Sequence, residues 1–436
     1  MTTSLPHRHA AQRNVGIDCL RGLAILLVIV HHLALPFRLP LGPSLLGEWL
    51  PKRLLDAISF NGYEAVFIFF TLSGFLITMR IIERDGDIGQ VDLRRFYRAR
   101  ARRILPLLGL ALTLLSLLAV CQVPGFMPET DRHSLAGLLG SALTFTFNWY
   151  EGRTGWAPAG WDVLWSLSIE EVFYVGFPLL CLWLPRRVLI GMLVVLALGL
   201  QPLRSLVPMS DEVWWEKAYL PGMAALAWGV LAALLARRWQ PGKRGARIMG
   251  LAGALCLVLA LGWSDVVYRH LFKSNMYMMC VGACLLLLAF HAQPPAPRRG
   301  LGWLARMGSL SYELYLFHMF IVLATQWLYR SGRRANLDLR RLCAGASVLL
   351  RAGAPARTRR HASGFAAQTI RGPGARQRRV MRRRTRWLSI LPAMVAGYLL
   401  LVVIWAWATF DTVTAHMPAI ADAPLSARQT QILLRV

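Results

Sequence analysis

Apolar residues in this chain gather into long runs separated by short stretches dense in arginine, and the first run, Ile17 to Pro36, sets the pattern. A helix rising about 1.5 Å per residue needs about 20 apolar residues to cross about 30 Å of hydrocarbon, which this run supplies. The same reading predicts spans at about 17–36, 65–82, 104–121, 163–184, 188–206, 219–236, 247–263, 276–292 and 309–329. Leu135–Trp149 is only moderately apolar and reads as an interfacial helix. The expected fold is all-α: a polytopic membrane protein with about nine to eleven transmembrane helices and no large soluble domain between them.

Composition and charge sharpen this picture. A chain of 436 residues that is 56% apolar, with mean hydropathy +0.45, cannot hide that surface in a soluble core. The net charge of +27 falls between the apolar runs and not along one amphipathic face, which argues against a nucleic-acid partner and for positive-inside topology. The leader His7–Arg13 and the basic loops Arg84–Arg103, Pro185–Arg187, Arg237–Arg247 and Arg298–Arg306 are therefore expected in the cytoplasm, with the N-terminus. Gln122–Arg132, with Glu129 and Asp131, and Ser264–Asn275 fall outside. No cleavable signal peptide is evident. The seven cysteines, Cys19, Cys121, Cys181, Cys256, Cys280, Cys284 and Cys343, read as small apolar fillers, and no metal is expected.

The pattern breaks after the ninth span. From Leu339 to Phe410 there is no acidic residue, and arginine clusters such as Arg357–Arg360 and Arg382–Arg384 interrupt any hydrophobic period. One crossing is missing, because the ninth span exits outward at Tyr329 while the basic cluster before Leu388 demands the inside. Cys343–Leu350 is too short to supply it. A disordered basic loop, a re-entrant segment and a stretch translated out of frame compete. The third is favoured, because Met381–Arg386 followed by an apolar run looks like the start of another protein's membrane anchor. The chain accordingly divides into a membrane domain at 1–330, a poorly patterned basic segment at 331–387, a further transmembrane helix at 388–410 and a short periplasmic tail at 411–436.

Candidate chemistry begins with Arg21 and His32. A guanidinium at mid-bilayer costs roughly 2.5–3.5 kcal/mol, so ionisable groups inside a span are functional candidates by default. Their eleven-residue separation covers roughly 16 Å of helix. His31 points about 100° away from His32 and is read as structural or supporting. Glu170 and Glu171 lie within another apolar run, where unpaired carboxylates are costly. Adjacent residues diverge by about 100°, so at most one is expected to face a given partner. One is expected to orient His32 or pair with Arg21. Asp18 shares a helix face with Arg21, and Ser73–Gly74 is a small pair expected to let the second span approach the first.

Residues 17–32 (IDCLRGLAILLVIVHH) resemble the first span of the acyltransferase-3 family of membrane acyltransferases, in which an arginine, ten residues and a histidine recur. Four further segments are similar to that family in the same order: 69–78 (FFTLSGFLIT), 96–106 (FYRARARRILP), 165–174 (WSLSIEEVFY) and 308–318 (GSLSYELYLFH). Together they cover about 15 to 330. Phe67, Cys19 and Val172 depart from the family's usual residues, and its closing span is not recognisable after Leu339.

The resemblance implies a membrane-bound O-acyltransferase of the bacterial inner membrane, moving an acyl group, acetyl foremost, from cytosolic acyl-coenzyme A to a hydroxyl of a cell-surface or exported glycan. Acyl-CoA (acetyl-CoA) would be a co-substrate. His32 would be base or transient acyl carrier, with Glu170 or Glu171 stabilising its imidazolium. Arg21, Arg100 and Arg103 would hold the donor phosphates, while Arg95, Arg98 and Arg102 compete for the same work. Asp18, Ser73 and His318 would support the site. The rival readings are a proton-coupled transporter and an inactive acyltransferase remnant.

Overall fold

Asn14 starts the first helix by accepting hydrogen bonds from the backbone N–H groups of Gly16 and Ile17, two of the donors that a helix N-terminus leaves unpaired. The computed structural model describes residues 14–35, 50–128, 131–204, 212–264, 266–267, 275–293 and 300–335. Every regular element among them is helical. In order they are α1 (Val15–Ala34), α2 (Lys52–Phe60), α3 (Gly62–Asp85), α4 (Leu93–Val120), α5 (Leu135–Leu143), α6 (Phe147–Thr154), α7 (Ala159–Asp162) and α8 (Leu164–Trp183). Then come α9 (Arg186–Arg204), α10 (Glu212–Lys217), α11 (Tyr219–Arg238), α12 (Lys243–Gly262), α13 (Asn275–His291), α14 (Gly302–Ser309) and α15 (Ser311–Ala335).

Among the described residues six helices are long and apolar enough to cross a bilayer, or seven if the α14–α15 pair, bent by 85°, counts as one span. The helices α9 and α13 occupy the expected positions of two further spans, and α13 is 17 residues long. Leu135–Trp149 resolves into the short α5 and the start of α6, neither long enough to span a bilayer. The basic stretch before the third span is not the loop expected from its charge. From Leu93 onward it is the first turns of α4, a 28-residue helix of about 42 Å that carries its arginines beyond the apolar run.

The described residues divide into two units: those at 14–35 and between Pro51 and Leu323 form one, and Leu50 with 324–335 forms the other. The second holds the end of α15, which continues past the expected boundary at 330. The basic segment beyond Ala335, the 388–410 helix and the tail lie outside the described residues, as do Glu129, Cys343 and most of Ser264–Asn275.

In the first unit α3 is the hub. Ile68, Leu72, Phe75 and Met79 form one stripe that packs with residues of α1, α11, α12 and α13 in a single apolar cluster. Gly74 and Gly229 permit the α3–α11 crossing: a Cβ on Gly74 would collide with the carbonyl of Leu226, and one on Gly229 with that of Thr71. Ser73–Gly74 therefore brings α3 against α11, not against the first span as expected. Which helix a small pair approaches is decided by the neighbours tertiary packing supplies. At the periphery, Ile248, Leu251 and Leu255 of α12 and Leu105, Leu117 and Val120 of α4 are exposed, a lipid-facing pattern.

Candidate active site

A cavity of about 100 Å³ opens between α1, α3, α4, α8 and α15. From α3 it is lined by Val66, Phe69, Phe70, Ser73, Leu76 and Arg80, a stripe turned about 100° from the one that builds the core. From α8 it receives Ser166, Leu167, Glu170, Glu171 and Tyr174, at helical spacing. Residues 170 and 171 flank the centre of the stripe about 50° to either side, so both reach the cavity, although no hydrogen-bond partner is shared by the two.

Glu170 accepts a hydrogen bond from Ser73 Oγ at 2.8 Å on one oxygen and from Tyr174 Oη at 2.7 Å on the other. Glu171 is buried, and its Oε1 has no hydrogen-bond partner among the described residues. Neither glutamate hydrogen-bonds to Arg21 or His32, contrary to the expected pairing. One turn after Glu170, Tyr174 lies on the same face and captures that carboxylate locally.

Four arginines line the cavity: Arg21, Arg80, Arg100 and Arg103. Arg21 Nη2 donates to Ser311 Oγ at 2.8 Å, and the Arg100 guanidinium lies 4.4 Å from the centroid of the Tyr174 ring. Against two carboxylates in the same wall, the four guanidinium groups leave a formal surplus of two positive charges. A surplus of guanidinium groups in a partly dry cleft suits an anion, phosphate above all. Arg95, Arg98 and Arg102 are exposed and do not line the cavity.

His32 and His318 meet, their ring centroids 5.0 Å apart. His318 is buried, and its Nδ1 donates to the Tyr315 carbonyl at 2.7 Å. Tyr315, whose ring lies 5.6 Å from that of His318, lines the cavity, so a series of rings links the cavity wall to His32. His31 turns elsewhere, with Nδ1 3.2 Å from the Ser59 carbonyl and its ring filling the space a side chain at Gly62 would need. Asp18 is buried where α1 meets α14, its carbonyl oxygen standing where a Cβ of Gly308 would be.

Sequence reasoning missed Arg80, Ser166, Ser311 and Tyr315. Arg80 was findable, since seven residues after Ser73 places it on the same face two turns on. Reasoning also missed a buried triad in which Lys217 Nζ donates to Glu151 Oε1 at 2.9 Å and to Asp162 Oδ1, with the Trp156 ring 4.1 Å away. Asp162 lies one turn before Ser166 at the head of α8. Burial pushes Glu151 up to about 8. Burial works against the charge on Lys217 as well, but the two carboxylates outweigh it and hold the ammonium protonated.

Residues 14–350 match the acyltransferase domain that defines the acyltransferase-3 family. The chain belongs to this family. It is 24% identical over 347 residues to the O-acetyltransferase OatA of Staphylococcus aureus (strain NCTC 8325 / PS 47), covering 73% of this chain and 52% of that protein. It is 27% identical over 343 residues to the putative peptidoglycan O-acetyltransferase YrhL of Bacillus subtilis (strain 168), covering 71% and 49%. The chain thus spans about half the length of these curated relatives. No solved structure matches it.

Proposed function

We propose that this protein transfers an acyl group, acetyl foremost, from acyl-coenzyme A to a hydroxyl of a cell-surface or exported glycan. It does so in the inner membrane of a bacterium, with its N-terminus in the cytoplasm. The observation that carries the reading is the cavity itself, whose walls hold four arginines and two carboxylates and whose Tyr315 leads through His318 to His32.

In this reading Arg21, Arg80, Arg100 and Arg103 bind the pyrophosphate and 3′-phosphate of the donor. Apolar residues between them and Tyr315 hold the extended thioester arm. His32 takes the proton of the acceptor hydroxyl, or carries the acyl group transiently, since a neutral imidazole is suited to either task. Glu170, fixed by Ser73 and Tyr174, keeps the guanidinium groups placed and acts on His32 only at a distance. The names of OatA and YrhL support an O-acetyl product, and that of YrhL supports peptidoglycan as the glycan.

Labelled acetyl-coenzyme A supplied to proteoliposomes holding the full chain tests the reading. Label should appear on a saccharide acceptor with the wild type and fall about 1,000-fold with His32→Ala. Undiminished transfer by the variant would remove His32 from the mechanism.

A further inference from the structure

Acyl transfer builds negative charge on the carbonyl oxygen, and an enzyme accelerates it by aiming hydrogen-bond donors at that oxygen before the reaction begins. Six hydroxyl side chains line the cavity, and their partners divide them. Ser73 and Tyr174 both donate to Glu170. Ser311 accepts from Arg21, and Tyr312 Oη donates to the Ile104 carbonyl at 3.3 Å. Ser166 Oγ donates to the Val163 carbonyl at 3.3 Å.

Tyr315 differs from these: its proton is committed to neither a carboxylate nor a carbonyl, and unlike Ser311 it is not held by one of the arginines. Its hydroxyl lies 2.6 Å from Ser166 Oγ, and since the Val163 carbonyl, 3.3 Å from Ser166 Oγ, can take the Ser166 proton, Tyr315 can serve as the donor. A neutral hydroxyl is a weaker acceptor than a carboxylate, so this proton can be surrendered to an incoming oxygen at small cost. The ring is placed rigidly, 6.2 Å edge-to-face from Phe69 and 5.6 Å from His318. Its location is apt as well. Ser166 lies eight residues, about 12 Å of helix, from Tyr174, beside which the Arg100 guanidinium sits, while Tyr315 is one turn from His318.

We propose that the Tyr315 hydroxyl is the donor that stabilises the oxyanion, with Ser166 as its resting partner; this rests on the acyltransferase reading above. As the acceptor oxygen bonds to the thioester carbon, the carbonyl electron pair moves onto oxygen and Tyr315 turns its O–H from Ser166 to that oxygen. The pair then returns, the C–S bond breaks, and the proton taken from the acceptor by His32 passes to the leaving sulfur.

The test uses purified full-chain protein and a ketone analogue of acetyl-coenzyme A, with a methylene in place of sulfur and a ¹³C-labelled carbonyl. Infrared difference spectra should show a lower carbonyl stretch in wild type than in Tyr315→Phe, and the variant's kcat should fall about 100-fold at unchanged donor KM. An identical stretch in both proteins, with equal kcat, overturns the assignment while leaving the donor reading intact. Failure of the ketone to bind wild type overturns the donor reading itself and the assignment with it. Should Tyr315→Phe not fold, Ser166→Ala carries the test, since it removes the competing acceptor. A stretch at or below the wild-type value then supports Tyr315, and one above it rejects the residue.

Discussion

The rings of His32 and His318 stand 5.0 Å apart at an interplanar angle of 47°, and they come from the two ends of the matched domain. Because His318 Nδ1 donates to the Tyr315 carbonyl, the neutral ring presents Nε2 as an acceptor, and that atom has no hydrogen-bond partner among the described residues. Under the proposed mechanism the two rings act as one unit. His32→Ala is expected to lower transfer about 1,000-fold and His318→Ala about 100-fold, both still measurable in single turnovers. The double variant should be no worse than His32→Ala alone, because groups that act together are non-additive when removed. Single-turnover rates measure this, and additive losses would show the rings to be independent.

The basic face at the start of α4 divides into arginines that line the cavity and arginines that do not. Arg100→Ala, Arg103→Ala and Arg80→Ala on α3 should each raise the KM for acetyl-coenzyme A about tenfold or more, since one hydrogen bond to a charged group contributes about 1.5–3 kcal/mol. Arg95→Ala, Arg98→Ala and Arg102→Ala should leave it within about twofold. Equal effects across all six would mean that the helix attracts the donor as a diffuse basic surface.

The crossing of α1 and α14 is built on absent side chains. A Cβ on Gly22 would collide with the Leu304 carbonyl, and one on Gly308 with that of Asp18, so neither helix can yield without moving backbone. Gly22→Ala and Gly308→Ala are each expected to destabilise the protein by about 1–3 kcal/mol, through overpacking in a region that also positions Arg21. Thermal unfolding in detergent checks this. Unchanged midpoints would indicate that the two helices separate easily.

Much of the site was legible because membrane depth makes ionisable residues conspicuous. Arg21, His32, Glu170 and Glu171 stand out inside apolar runs whatever the fold, and each lies at or one residue from the cavity series. What was illegible depended on rotation and neighbours. Ser73–Gly74 could be read as a close-packing pair, yet its partners, α11 for Gly74 and Glu170 for Ser73, exist only once α3 is set in the bundle. Glu170 does not pair with His32 or Arg21 because Ser73 and Tyr174, both within hydrogen-bond distance, take its two oxygens, whereas Glu171 Oε1 has no partner among the described residues. The Lys217 triad draws on α6, α7 and α10, three short helices whose weak periodicity gave no sign that they would bury charge together.

That triad implies an unusual dependence of stability on pH. Glu151 is pushed up to about 8 by burial, so between its ordinary value near 4.5 and about 8 the folded protein holds a proton that the unfolded chain releases. Stability therefore falls as pH rises through that window, since the state that binds fewer protons gains. Lys217, held protonated by Asp162 and Glu151, contributes in the same sense, and only above its ordinary value. Glu151→Gln removes the titrating group but keeps an oxygen for Lys217 Nζ and for the backbone N–H of Ala157, which Glu151 Oε1 now serves. Unfolding midpoints from pH 5 to pH 9 should decline for the wild type and stay nearly level for the variant. A parallel decline in both would assign the dependence to another group.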